Sequence, residues 1–288
     1  MNFSQAAIPL MRRRFSCRSY EEHPLSETER QALSDFLSGL ACGPFGGRPR
    51  FMLAAATTQD RSALRGLGTY GFIKGAPAFM IGAARPAAGD MEDYGYLMET
   101  AVLRAADLGL GTCWLGGTFA HSSFAAKIGL QPGEILPAVV PTGAISTRRY
   151  PPADLIRRAA GSDSRLEWRD LFFTGDFSTP LGAGQAGQFA DALEMVRLGP
   201  SASNKQPWRV LRSGAAWHFF LARTPGYGEG MASMLVHADL QRIDMGIAMC
   251  HFALSTAELG LNGSWQNIPL PPPGPGMEYT LSWIETSR

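Results

Sequence analysis

Leu103-x-x-Ala106-Asp107-Leu108-Gly109-Leu110-x-x-x-Trp114 recurs as Leu254-x-x-Ala257-Glu258-Leu259-Gly260-Leu261-x-x-x-Trp265, displaced by 151 residues. Six positions are identical, and Asp107/Glu258 keeps its charge. In each copy an apolar helical run stops at a glycine, the residue that most easily takes the left-handed turn after a helix. Gly43-Pro44 and Gly199-Pro200 end two further helical runs 156 residues apart. Two matches at nearly one offset point to two copies of an α+β unit of about 140 residues, a normal domain size. Two similar halves in one polypeptide imply a fused homodimer with a built-in pseudo-two-fold interface.

The elements around the repeat follow the same order twice. In the first half, the pattern predicts an amphipathic helix over Leu25–Leu40, capped by Ser26 with Glu29 three residues on. Strands are expected at Phe51–Ala56 and Ala78–Ala83, a helix at Gly95–Leu108, and strands at Cys113–Leu115 and Ile135–Ile145, the last weakened by Pro137 and Pro141. In the second half, a helix is expected at Gln185–Arg197 and strands at Arg209–Leu211 and Trp217–Ala222. A helix at Leu240–Leu259, apolar on nearly every side and therefore central, and an alternating strand at Glu278–Glu285 complete it. The fold class is α+β: two tandem copies of a mixed or antiparallel sheet flanked by helices, forming an intramolecular pseudo-dimer. The halves are drawn at 1–168 and 169–288, interlocked as one functional unit.

Composition narrows the function. The 288 residues carry 26 Lys+Arg against 25 Asp+Glu, a net charge of +1. That balance argues against bulk nucleic acid as partner, because phosphate neutralisation needs a basic surface. The 33 Gly and 20 Pro exceed the usual share of about 12% and predict many sharp turns. Cys17, Cys42, Cys113 and Cys250 are scattered without a CxxC pair, so neither a disulfide framework nor a zinc site is expected. Residues 1–11 lack the charged-then-apolar order of a signal peptide, since Arg12, Arg13 and Arg14 follow the apolar stretch, and no run reaches the roughly 18 apolar residues of a membrane span, so the expected location is cytoplasmic. His23, His121, His218, His237 and His251 have no partners at metal spacing.

Two runs could carry chemistry. In Arg14-Phe15-Ser16-Cys17-Arg18-Ser19-Tyr20, an extended backbone turns alternate residues to one side, so Arg14, Ser16 and Arg18 converge. Two guanidiniums and a hydroxyl suit a phosphate; a solvated basic arm fits the spacing equally well, with Arg12 and Arg13 upstream. In Leu198-Gly199-Pro200-Ser201-Ala202-Ser203-Asn204-Lys205-Gln206-Pro207-Trp208, small polar residues between a helix and a strand offer amides and hydroxyls to a ligand, or form only a loop. Trp208 reads more readily as a core residue than as a pocket wall.

Together the two runs resemble the nitroreductase family of flavin enzymes, with its Arg-x-Ser-x-Arg/Lys segment and its Pro-Ser-x-x-Asn-x-Gln-Pro-Trp run. Leu108-Gly109-Leu110-Gly111-Thr112-Cys113-Trp114-Leu115-Gly116-Gly117 is similar to the family's glycine-rich turn beside the flavin, and Gly75-Ala76-Pro77 before a strand is a weaker match. The first two motifs fall in different halves here, as in a single-chain branch where one chain mimics the dimer. The resemblance implies one composite FMN site, with Arg14, Phe15, Ser16 and Arg18 from the first half and Pro200, Ser201, Ala202, Ser203 and Asn204 from the second. The mirror site has neither motif, since Phe173–Ser178 lacks arginine and Gly43–Arg48 replaces the Pro-Ser run.

By the same resemblance, Arg14 and Ser16 hold the phosphate with help from Arg165, with Arg148 and Arg149 as competing candidates. Arg18 lies near N1 and O2 of the isoalloxazine, and the amides of Gly116 and Gly117 approach N5. The implied activity is FMN-dependent transfer of reducing equivalents from NAD(P)H to a small-molecule acceptor such as a nitroaromatic or quinone, by a monomer that acts as a pseudo-dimer. The flavin carries the chemistry, with no catalytic side chain and no metal. The covering loops are placed at Gln59–Phe72 and Thr224–Met234. The alternatives are a protein that stores or senses FMN without turnover, a scaffold that binds no flavin, and a basic-arm nucleic-acid binder.

Overall fold

The computed structural model describes residues 3–148, 151, 161, 164–227, 237–270, 274 and 276–286. Its helices are α1 (Ala7–Arg13), α2 (Glu27–Gly39), α3 (Asp90–Asp107), α4 (His121–Ile128), α5 (Trp168–Leu171), α6 (Ala190–Leu198) and α7 (Leu240–Glu258). Four strands, β1 (Arg50–Ala55), β2 (Ala78–Ala83), β3 (Gly111–Thr112) and β4 (Val139–Gly143), form one antiparallel sheet in the order β1-β2-β4-β3. Six more, β5 (Phe172–Thr174), β6 (Asp176–Pro180), β7 (Trp208–Ser213), β8 (Ala216–Ala222), β9 (Gly263–Gln266) and β10 (Met277–Glu285), form a second in the order β6-β5-β7-β8-β10-β9. That sheet is mixed, because β5 joins β7 in parallel while the other neighbours run antiparallel. The architecture is the α+β pair of sheet-and-helix units expected from the repeat.

The seam between the halves is the packing of α3 on α7. A Cβ on Gly95 would collide with the backbone carbonyl of Ile243, and one on Gly246 with that of Glu92. Gly95 and Gly246 are 151 residues apart, and so are Glu92 and Ile243. The contact is therefore reciprocal at the offset of the sequence repeat, which is the signature of an isologous interface built into one chain. Only a residue without a side chain lets two helix backbones approach this closely.

From Leu240 to Phe252 the α7 helix is buried on nearly every side, because it serves both cores. Leu240, Ile243 and Ile247 pack with Met91, Tyr94 and Met98 of the first half, whereas Met245, Ala248, Met249 and Phe252 pack with Trp208, Trp217 and Phe219 of the second. The N-terminal helix α1 bridges the two, with Leu10 and Met11 against Leu103, Met195 and Cys250.

Several elements differ from the sequence expectation. The central helix of the first half starts at Asp90, five residues before Gly95. Its opening turns bury Glu92 and Asp93, and these interrupt the apolar period. The expected helix over Gln185–Arg197 resolves into two 3₁₀ turns and then α6, with Gly187 at φ +57° between them. The strand expected over Ile135–Ile145 shrinks to β4, with single bridges from Ile135 to Ala84 and from Ile145 to Tyr20. The Ser26–Glu29 capping box forms as expected.

Candidate functional site

Arg14 leaves α1 in an extended conformation and Ser16 pairs in parallel with Thr112 of β3, with the Cys17 amide donating to the Thr112 carbonyl at 2.8 Å. The segment is thus laid along the strand that opens the glycine-rich turn. Burial pushes the Cys113 thiol up; the nearby charges of Arg18 and Arg14 and a bond from Ser16 act against that rise. Arg14, Ser16 and Arg18 are thus each near enough to Cys113 to act on its thiol.

The two arginines upstream are engaged elsewhere. Arg12 pairs with Asp191 at 2.9 Å, and Arg13 donates to Gln5 Oε1 and the Ala106 carbonyl. Arg14 differs: its Nε and Nη1 are buried and meet no acceptor among the described residues. Leaving charged donors buried without acceptors costs more than a neutral hydrogen bond returns. These donors are therefore suited to an anion, and a phosphate offers several acceptor oxygens to meet them.

The second half reaches the same place through α7. Leu240 occupies the space where a Cβ of Gly116 would stand. One turn on and on the same face, Asp244 accepts the Ala202 amide at 3.0 and 3.1 Å. The turn carrying Gly116–Gly117 and the loop Pro200–Asn204 are thereby held on one face of one helix, and both Trp114 and Ala202 pack against the same core. Asp244 is fully buried, and burial pushes its carboxyl well up. The first half repeats this device. Asp93, 151 residues earlier, accepts the amides of Phe45 and Gly47 at 2.8 and 2.6 Å.

The loop itself is self-braced. Ser201 Oγ accepts the Gln206 amide at 2.9 Å, and Asn204 Nδ2 donates to the carbonyls of Gly161 and Ser164 at 2.6 and 3.0 Å. Ser203, Asn204 and Gln206 all take positive φ, between 49° and 54°, a conformation that costs energy in residues with a side chain and gathers at ligand sites. Arg165 belongs to this bracing: Nη2 donates to the Leu198 carbonyl at 3.2 Å and Nη1 to Asn204 Oδ1 at 3.4 Å. Arg148 follows Ile145–Ser146, which pairs with Ser19–Tyr20, and so lies on the Arg14–Arg18 side. Arg149 is outside the described residues, as is residues 228–234 of the second covering loop.

Trp208 is a fully buried core residue of the second half. Phe173–Ser178 form the β5–β6 hairpin at the far edge of the larger sheet. The four cysteines are free, and among the described residues no three His, Cys, Asp or Glu gather as for a metal. No described helix is long and apolar enough to cross a membrane.

Sequence reading missed Glu99, Leu240, Asp244 and His251. Carrying the 151-residue offset further back would have exposed part of this set, since Asp93/Asp244, Gly95/Gly246 and Met98/Met249 also match.

A duplicated sheet-and-helix unit folded about a pseudo-two-fold seam defines a pseudo-dimeric class of protein. The family model described as "Putative TM nitroreductase" matches residues 7–256, and the chain belongs to the nitroreductase family, an oxidoreductase family. A Thermotoga maritima structure described as a putative nitroreductase is 17% identical, with a TM-score of 0.62 over 99% of this chain and 95% of that one. That likeness spans both halves and shows the fold. A Desulfitobacterium hafniense nitroreductase with bound FMN is 20% identical, with a TM-score of 0.39 over 52% of this chain and 92% of that one. An FMN-dependent nitroreductase of Clostridium difficile is also 20% identical, with a TM-score of 0.40 over 52% and 95%. Among curated proteins none matches.

Proposed function

We propose that the chain is an FMN-dependent oxidoreductase that takes reducing equivalents from NAD(P)H and passes them to a small-molecule acceptor such as a nitroaromatic or a quinone. Bound FMN would supply the hydride chemistry, and the protein would bind, orient and tune it. The observation that carries this reading is the half-buried Arg14, whose buried Nε and Nη1 are unmatched donors close to Ser16, at the start of a glycine-rich turn. A phosphate monoester fits that donor set.

In this reading Arg14 and Ser16 hold the phosphate, with Phe15 carrying the backbone between them and Arg148 adjacent. Arg18 stands beside the pyrimidine edge of the ring, where a cation favours the negative charge of the reduced form. The amides of Gly116 and Gly117 face N5. Pro200, Ala202 and Ser203 cover the ribityl side from the second half, with Ser201, Asn204 and Arg165 keeping that loop in shape. The halves 1–168 and 169–288 work as one unit, so the enzyme functions as a cytoplasmic monomer with one site per chain.

The test is anaerobic mixing of the FMN-loaded protein with NADH and, separately, NADPH. Bleaching of the flavin absorption band with either donor, followed by its return on adding a quinone, is the expected result. A band that persists with both donors would leave a flavin-storing protein as the better reading, and a protein that takes up no FMN would refute both.

A further inference from the structure

A polar chain crosses the seam beside the glycine-rich turn. Glu99 and His251 have fully buried side chains on α3 and α7, and their Oε1 and Nε2 are 3.0 Å apart. His251 Nδ1 is 2.8 Å from the Met195 carbonyl, which can only accept, so Nδ1 carries a proton. The Trp114 indole N–H donates to the other Glu99 oxygen at 2.7 Å. Four groups from both halves thus end on Trp114, two residues before Gly116.

The pseudo-two-fold supplies an internal comparison. The 151-residue offset maps Glu99 onto Cys250 and Thr100 onto His251. The symmetry-related contact is Cys250 with Thr100, at 3.7 Å between sulfur and oxygen. The same seam position is therefore a carboxylate–imidazole pair on one side and a thiol–hydroxyl pair on the other. Packing alone is satisfied by the small pair. A buried carboxylate–imidazole pair contributes little net stability, because desolvation offsets its attraction. Its use is geometric: it fixes the groups bonded to it. It stands only on the side whose glycine-rich turn belongs to the composite site.

We infer that Glu99 and His251 are positioning residues, which lock the Trp114 indole and through it set the Gly116–Gly117 amides against N5 of the flavin. The inference rests on the FMN reading above. Glu99→Gln keeps an acceptor for Trp114 and gains a donor for a neutral His251 Nε2, so it rescues the arrangement. Trp114→Phe removes the indole N–H and leaves a smaller aromatic ring in its place, so Glu99→Gln, which leaves the indole intact, is read beside it. Glu99→Leu removes both bonds, and Cys250→Ala probes the symmetry-related place.

Each variant would be loaded with ¹⁵N-labelled FMN and compared by the N5 resonance and by the rate of anaerobic reduction with NADH. Trp114→Phe and Glu99→Leu are expected to shift the N5 resonance and slow reduction at least threefold. Glu99→Gln should stay within twofold of wild type, and Cys250→Ala should leave the resonance in place. Should Glu99→Leu fail to fold, Trp114→Phe alone decides. Wild-type protein that binds FMN while Trp114→Phe keeps the wild-type resonance and rate would overturn this inference alone, as would an equal response of Cys250→Ala. Wild-type protein that binds no FMN would overturn the functional reading with it.

Discussion

Arg14 is the residue on which the site turns. Its neighbours Arg12 and Arg13 are committed to Asp191, Gln5 and the Ala106 carbonyl, whereas Arg14 Nε and Nη1 are buried without an acceptor among the described residues, which favours the proposed phosphate grip over a solvated arm for Arg14. Charge-assisted bonds contribute about 1.5–3 kcal/mol each, so Arg14→Gln should weaken FMN binding roughly 10- to 100-fold with little change in thermal stability. Fluorescence titration with FMN measures it, and an unchanged Kd would place the phosphate elsewhere. Asp244 yields a second expectation at this scale. Burial raises its folded-state pKa far above the roughly 3.9 of an unfolded aspartate, so the folded chain binds the extra proton. Wild-type stability should then fall as pH rises from about 4 through the folded value. Asp244→Asn keeps an acceptor for the Ala202 amide and removes the titration, so its Tm should gain on wild type between pH 5 and pH 8. Parallel Tm curves would contradict that assignment.

The elements that matter most are α3 and α7. Adding a methyl at Gly95 or Gly246 would drive a Cβ into the facing backbone carbonyl, which cannot move aside as a flexible side chain can. Overpacking of this kind costs about 1–3 kcal/mol, so Gly95→Ala and Gly246→Ala should each lower the Tm by roughly 2–10 °C. The double variant should lose less than the two single losses together, because both act on one helix spacing. Calorimetry of the three variants checks this, and full additivity would argue against a shared contact. The same helices mark where the sequence was legible and where it was not. Ala78–Ala83 and the capped α2 were readable to within a residue or two, because a buried strand and a capping box are local signals. The start of α3 was not, because Asp93 and Glu92 are polar residues whose partners, the Phe45 and Gly47 amides and Arg242, lie far away in sequence. Gly95 looked like a helix boundary, whereas its lack of a side chain is a contact with the other half.

At the scale of the whole molecule, duplication explains both the symmetry and its loss. The fold and the pseudo-two-fold were legible because the repeat survives at the helix ends, in Leu108-Gly109-Leu110 and Leu259-Gly260-Leu261. The candidate site was legible as two motifs, yet the residues joining them were hidden: Leu240 against Gly116 and Asp244 under Ala202 are long-range contacts with no local pattern. A fused chain is free to let its halves diverge, and the second half has put Phe173–Ser178 into an edge hairpin. In the proposed reading, the seam therefore supports one site rather than two. Titrating the purified, flavin-free chain with FMN to saturation, with the stoichiometry read from the bound absorption band, measures that directly. One FMN per chain is the predicted result; two per chain, or none, would contradict it.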